Sequence, residues 1–381
     1  MFVAALWILS ACRHSGGDLD LLHGDDADTA TGGETGETSD SGDTGDTADS
    51  AESGDNSDSA DSGDTAVEGL DASLLAPPAS FWQAPSFTVE PGRGLAWERD
   101  TAWSIPGLTV PQIFVRADGT YGMLVTVNAT GNDRFLITSD DGIEWSDPPK
   151  LLFSPADFAP LDCGDRLEDA AVLYQPDGSY LLVLESTYTE EGGVTPLWRR
   201  WCQATSPDGV TFTPNTESYF FTGLEGDEGV PSVPGALPLS DGSQLVYYNA
   251  AMGSPTQGIR VAIGAQPDVT LAQLAGTAVL PISDVDPLPV YLEGGGIRLY
   301  HTHGPGGGPG YAEMAGGVVA EGDSSLINNT EPDCIVAGGE CLLDPAFLHL
   351  PDGRLVLYYS RVTLNGDGTY SEAIERAWAT D

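Results

Sequence analysis

The chain is 381 residues long and carries 58 acidic against 14 basic side chains, a formal charge of −44 at pH 7. A chain so acidic repels nucleic acid, anionic lipid surfaces and polyanionic substrates, and those partners are set aside. Neutral sugars are compatible with it, and 40% hydrophobic residues leave enough apolar side chains for a folded core.

The first twelve residues read MFVAALWILSAC. The apolar run Phe2–Leu9 is too short to span a bilayer and has no basic segment before it. Leu9-Ser10-Ala11-Cys12 is similar to a bacterial lipobox. That resemblance implies acylation of Cys12 and an exported lipoprotein at the outer membrane or cell surface, touching lipid only through its anchor. Residues 13–79 form an Asp/Ser/Thr/Gly-rich stretch with no Lys or Arg between Arg13 and Arg93. Such a segment buries little and repels itself, so a disordered acidic linker is expected, tethering the C-terminal three quarters of the chain. It lacks the Gly-Gly-x-Gly-x-Asp calcium pattern. No cofactor is expected, structural calcium on the acidic repeat being the exception weighed. Setting aside the 18 acidic residues of Asp18–Asp71 leaves the remainder at about −27.

From residue 80 onward one unit recurs: an apolar run, a tight turn, and a second alternating run. VPQIFVRADGTYGMLVTV (Val110–Val127) and DPAFLHLPDGRLVLYYS (Asp344–Ser360) are two of five copies. Asp-Gly between such runs is a hairpin signal, because the turn needs residues that accept positive φ. The turns stand at Asp118, Asp177, Asp241, Gly294 and Asp352, 53 to 64 residues apart, room for four short strands each. No long amphipathic helical pattern appears, and the class is all-β. Ser86–Val89 and Gly94–Trp97 are two candidate N-terminal strands, and an N-terminal strand joining the last repeat completes it and removes an exposed sheet edge. The expectation is a five-bladed β-propeller over residues 80–381, as a monomer.

A second signature is Ser139–Trp145 (SDDGIEW) and Ser206–Phe212 (SPDGVTF). Each comes after one β-rich run (Arg134–Thr138, Trp198–Thr205) and precedes another (Lys150–Phe153, Glu217–Phe221). The pattern resembles the Asp-box of sialidase-like propellers, a turn whose Asp bonds nearby backbone N–H groups.

Eight positions before each turn stand Val110, Asp169, Val233, Asp286 and Asp344. Three repeats therefore offer a carboxylate at an equivalent inner-strand position, where converging charges separate acid from base roles. Arg166 and Glu168 flank one of them, and Glu228 stands in the segment entering the third repeat. The second runs end on Asn128, Glu185, Asn249, His303 and Arg361. Arg166, Glu168, Glu185, Asn249, His303 and Arg361 are the candidate substrate-binding residues. His301 and His303 share a strand face, but two His without a clear third ligand are a weak metal signal, and no metal is expected. Trp198 and Trp201 either stack on sugar rings or pack between blades, packing being the simpler role.

Five repeats with Asp-Pro on inner strands resemble the five-bladed glycoside hydrolases of the arabinanase and fructosidase type. The resemblance implies hydrolysis or binding of neutral glycans, with Asp169 and Asp286 or Asp344 as the Asp pair and Glu228 as the acid. The sequence departs from the pattern at Val110-Pro111-Gln112, where those families place an Asp, and at Glu228, whose motif carries an added Val. A non-catalytic carbohydrate- or protein-binding scaffold is the alternative. A sialidase-like site is a third: Arg166, Arg298 and Arg361 are available to it, but Ser104-Ile105-Pro106 stands in place of Arg-Ile-Pro. Apart from Cys12, Cys163, Cys202, Cys334 and Cys341 allow three pairings. Cys163–Cys202 and Cys334–Cys341 are favoured over four buried thiols, because exported chains form disulfides.

Overall fold

A computed structural model describes residues 89–90, 96–127, 132–146, 148–175, 177–189, 196–222, 231–241, 243–250, 258–265, 272–273, 284–292, 296–303, 308–315, 318–323 and 338–380. Val89–Glu90 (β1), Ala96–Arg99 (β2) and Ile105–Pro106 (β3) come first. Leu108–Val115 (β4), Tyr121–Val127 (β5), Arg134–Ser139 (β6) and Lys150–Phe153 (β7) form one meander. Arg166–Tyr174 (β8), Tyr180–Thr189 (β9), Pro196–Ser206 (β10) and Thr213–Pro214 (β11) form the second. Ser232–Pro238 (β12), Ser243–Ala250 (β13), Gly258–Ala265 (β14) and Ala272–Gln273 (β15) form the third. Asp284–Leu292 (β16), Ile297–His303 (β17), Gly308–Ala315 (β18) and Val318–Asp323 (β19) form the fourth, with β1 added parallel to β16. Glu340–His349 (β20), Leu355–Leu364 (β21) and Tyr370–Thr380 (β22) make a further sheet, extended by β2 and β3, which both pair with β22. The arrangement is that of an all-β propeller.

The turns explain why these runs fold into hairpins. Asp118 Oδ1 accepts the Thr120 N–H at 2.9 Å and its hydroxyl at 2.6 Å, and Gly119 supplies φ +84°. Asp177 with Ser179, Asp241 with Ser243 and Asp367 with Thr369 repeat the contact. A different turn joins β6 to β7 and β10 to β11. In the first, Ser139 Oγ accepts the Gly142 N–H, and Asp141 Oδ1 accepts those of Ile143 and Glu144. Ser206 and Asp208 make the same three bonds to Gly209, Val210 and Thr211. The expected strand Glu217–Phe221 is replaced by β11. Asn215 Oδ1 accepts the N–H groups of Glu217 and Ser218 and turns the chain early, so Phe221 keeps only a bridge to Trp201.

Apolar faces pack sheet on sheet. Phe114, Leu124 and Leu136 of the first meander bury against Tyr180, Leu182 and Leu184 of the second. Leu181, Val183 and Trp201 of the second meet Val246 and Tyr248 of the third. Tyr300 and Val290 of the fourth meet Phe347, Leu357 and Tyr359 of the last sheet. That sheet returns to the first through Leu348, Val356 and Tyr358 against Met123, Val125 and Ile137. Full burial of each such side chain contributes about 1.5–3 kcal/mol. Ion pairs hold the N-terminal strand in place: Arg99 reaches Glu340 at 2.7 Å and Glu375 at 2.8 Å, and Arg376 reaches Asp100 at 2.9 Å. The five first strands β4, β8, β12, β16 and β20 surround a narrow cavity, with Ile113, Leu173, Leu237, Val290 and Phe347 among its lining.

Between the third and fourth meanders backbone meets backbone. A Cβ on Gly235 would lie 2.1 Å from the Pro287 carbonyl oxygen, so only glycine fits. Gly235→Ala is expected to lower stability by about 1–3 kcal/mol, read as the urea midpoint, the usual cost of overpacking. An unchanged midpoint would contradict this packing.

Candidate functional site: a carboxylate-lined mouth

All five first strands break register at the same level. The pairing shifts between Thr109 and Gln112, Leu167 and Ala170, Ser232 and Gly235, Val285 and Leu288, and Leu343 and Ala346. Each shift leaves two residues unpaired, a β-bulge, which bends the strand and re-aims side chains. In four of the five the second unpaired residue is proline, which has no N–H to lose from the ladder. In those four the first residue takes positive φ: Val110 at 53°, Val233 at 51°, Asp286 at 57° and Asp344 at 54°. A β-branched residue there is a marked departure from its usual geometry. The fifth bulge, Glu168-Asp169, has no proline after it, and Asp169 is not among the residues with positive φ.

The bulges surround a small pocket at one end of the axial cavity. It is bordered by Asp169, Asp286, Asp344, Val110, Val233 and the neighbouring prolines. The structure thus brings the three predicted aspartates together. The Asp344 N–H points at Asp286 Oδ2, 3.3 Å away. Burial pushes all three carboxyl groups up. Asp344 is raised to about 8 by burial and then by Asp286, while the Ser360 hydroxyl and Arg134 pull it back. Asp169 stands well above its ordinary value through burial, Asp344 and Asp286. Asp286 is raised by burial but is offset by bonds from Thr302 and from the Asp344 N–H, which favour its ionised form.

A collar of hydrogen bonds sits behind the carboxylates. The N–H of a bulge residue is passed to the second strand of the preceding sheet. Val110 donates to Ser360 Oγ at 2.8 Å, Asp344 to Thr302 Oγ1 at 3.2 Å, and Val233 to Glu185. Sequence counting ends those strands at Arg361 and His303, but the register puts Ser360 and Thr302 at this step, one residue earlier. Arg361 instead bonds Glu375 and Thr363, and His303 pairs its backbone with Asp284, its side chain lying outside the described residues. Glu185 is buried and held by Arg199 at 3.1 Å and by the Ser232 hydroxyl. Glu168 accepts from Thr187 and lies 3.9 Å from both Arg166 and Arg199. Asn249 is 1% exposed, and among the described residues neither atom of its side-chain amide has a hydrogen-bond partner.

Arg134, which the sequence reading did not single out, is the cation of the mouth. It is fully buried, donates to Thr126 Oγ1 at 2.7 Å and to the Val110 carbonyl at 3.2 Å, and faces Asp169, Asp344, Glu168 and Glu185 electrostatically. Burial draws its pKa down to about 10 against that acidic field. Among the described residues no group of three His, Cys, Asp or Glu is arranged to hold a metal. Cys163 is bonded to Cys202, and Cys341 is also in a disulfide. Glu228, Cys12, Cys334 and Asn128 lie outside the described residues.

In fold, the chain is like the glycoside hydrolase family 43 propellers. A thermostable family-43 glycoside hydrolase superposes with a TM-score of 0.52 at 14% identity, over 74% of this chain and 96% of that one. A xylan beta-1,4-xylosidase from Bacillus halodurans C-125 gives 0.50 at 15%, over 73% of this chain but only 54% of its own. An alpha-L-arabinofuranosidase from Lactobacillus brevis gives 0.50 at 14%, over 73% and 92%. No family model and no curated protein matches the chain in sequence.

The raised Asp344 pKa has a direct consequence. Because the folded value lies above the ordinary one, protonation favours the folded state. Its contribution is full at low pH and drains away as pH rises to about 8. Urea unfolding from pH 4 to 8 is expected to show falling stability, by up to about 1.4 kcal/mol per pH unit for one proton. Asp344→Asn is expected to flatten that slope, and an equally steep slope in the variant would contradict the assignment.

Proposed function

We propose that this chain is a five-bladed glycosidase-like propeller, the β2-closed sheet being the fifth blade, and that its mouth takes and hydrolyses neutral glycans. The observation that carries the reading is the convergence of Asp169, Asp286 and Asp344 on one pocket in unequal environments. Asp286, stabilised as an anion by two donors, is the base or nucleophile. Asp344, protonated at neutral pH, is the proton donor to the leaving oxygen, with Glu228 as the alternative donor. Asp169, raised well above its ordinary value, donates to a sugar hydroxyl and fixes the ring. The likeness in fold to family-43 enzymes supports the same class. Ser139–Trp145 and Ser206–Phe212 are read as Asp-boxes, structural staples without a chemical role.

One observation favours a second reading, glycan binding without turnover. The first blade offers Val110 where the other acidic blades offer a carboxylate. The two readings separate in one screen of the purified chain against neutral polysaccharides. Hydrolysis predicts release of reducing sugar, cut at least about 100-fold by Asp286→Asn and by Asp344→Asn. Binding without release supports the scaffold, and activity indifferent to both substitutions overturns the assigned roles.

We also read Cys12 as an acylation site and residues 13–79 as a tether that holds the propeller off a membrane. Cys12→Ser is expected to move the protein from the membrane fraction to the soluble fraction. An unchanged distribution would count against the anchor.

A further inference from the structure

The rim above the second meander carries an arrangement that the pocket chemistry does not use. Among the described residues the large exposed apolar side chains are Leu151, Val210 and Tyr188, and only Tyr188 is aromatic, at 39% exposure. Tyr188 and Trp198 are directly opposed on β9 and β10, and their rings stack at 5.6 Å with 15° between planes. The Arg200 guanidinium lies 4.3 Å from the Trp198 ring centre and 5.0 Å from that of Tyr219. Arg200 also donates to the Tyr219 hydroxyl at 3.0 Å, and that hydroxyl donates to the Asp162 carbonyl at 2.9 Å. Four layers are thereby locked in place. Trp198 is covered by Tyr188 and Arg200, and the exposed aromatic surface belongs to Tyr188, the end of the stack.

Position gives the stack its meaning. Tyr188 is three residues beyond Glu185 on β9, roughly 10 Å further along the strand, with its side chain on the opposite face of the sheet. Asp165, exposed on the same rim, accepts from Thr189 at 2.9 Å, and Arg166 reaches Glu168 across to the mouth. An immobilised, solvent-facing aromatic ring matches a sugar ring, which is apolar on its C–H face and hydroxylated at its edge. Packing accounts for the Tyr188–Trp198 pair but not for the outward ring being held by a four-layer brace.

We propose that Tyr188 is a platform for a second sugar unit, so that the ligand is a neutral oligosaccharide with one unit in the mouth and a later unit on this ring. The inference rests on the neutral-glycan reading of the pocket. Its test is calorimetric titration of the full chain with xylotetraose, arabinotetraose, cellotetraose and mannotetraose, each beside its monosaccharide. For the sugar that binds, the tetrasaccharide is expected to bind about tenfold tighter or more. Tyr188→Leu, which keeps apolar cover but no aromatic face, is expected to erase that gain and leave the monosaccharide affinity unchanged. Tyr188→Phe is expected to retain it. A Tyr188→Leu chain that binds the tetrasaccharide as well as wild type overturns the platform, and the pocket reading survives if that chain still binds the monosaccharide. Wild-type chain that binds none of the eight probes overturns both.

Discussion

The structure depends on one constraint: five first strands must each break their ladder at the same level. A bulge frees an N–H and turns a side chain toward the axis. The freed N–H of Val110, Val233 or Asp344 is taken up by the preceding sheet, through Ser360, Glu185 or Thr302. Satisfying a buried donor in this way ties neighbouring sheets together at the mouth. The bond from Val110 to Ser360 matters most for the ring, because it crosses from the first meander to the last sheet, where β2 also pairs and Arg99 is held by Glu340 and Glu375. The collar is therefore both a building device and the wall of a pocket.

The same geometry sets the electrostatics. Three carboxyl groups at one level cannot all ionise out of water, so their pKa values separate. Asp286 has two donors that favour its anion, whereas Asp344 donates its own N–H toward Asp286 and is pushed to about 8. Arg134 is what keeps the cluster from being wholly uncompensated. It enters from a third strand, bonded to Thr126 and to the Val110 carbonyl, in the meander whose bulge carries Val110 rather than an acid and that borders the aspartates of the second and last sheets. The chain thus supplies a cation from the first meander where the second, fourth and last supply an acid.

The aspartates were legible in the sequence because a motif fixes them twice. An Asp-Gly turn, or Gly-Gly in the fourth repeat, marks one end of each first strand, and Pro within a β run marks a break in the ladder at its other end. Asp169 keeps the spacing from the turn without the proline, which is why counting from the turn finds it. Arg134 was not legible, since nothing in a third-strand arginine distinguishes a buried cation from a solvated one. Ser360 and Thr302 were missed by one residue because the second strands were counted to their ends, whereas the bulge fixes the step that meets the neighbouring sheet. The fourth strand of the second meander was misplaced for a local reason, the Asn215 turn. Trp198 and Trp201 read alike in sequence, yet Trp201 is wholly buried among Phe220, Phe221 and Tyr248 while Trp198 braces an exposed ring.

The most direct measurement of this account is the infrared spectrum of the folded chain around the carbonyl stretch of a protonated carboxylic acid. At pH 7 a band from neutral carboxyl groups should be present, should weaken on titration through about 8, and should be smaller in Asp344→Asn, with Asp169 holding the remainder. A spectrum in which every carboxyl group is already ionised at pH 7 would mean that the aspartates do not share a crowded mouth, and the account would fail at its base.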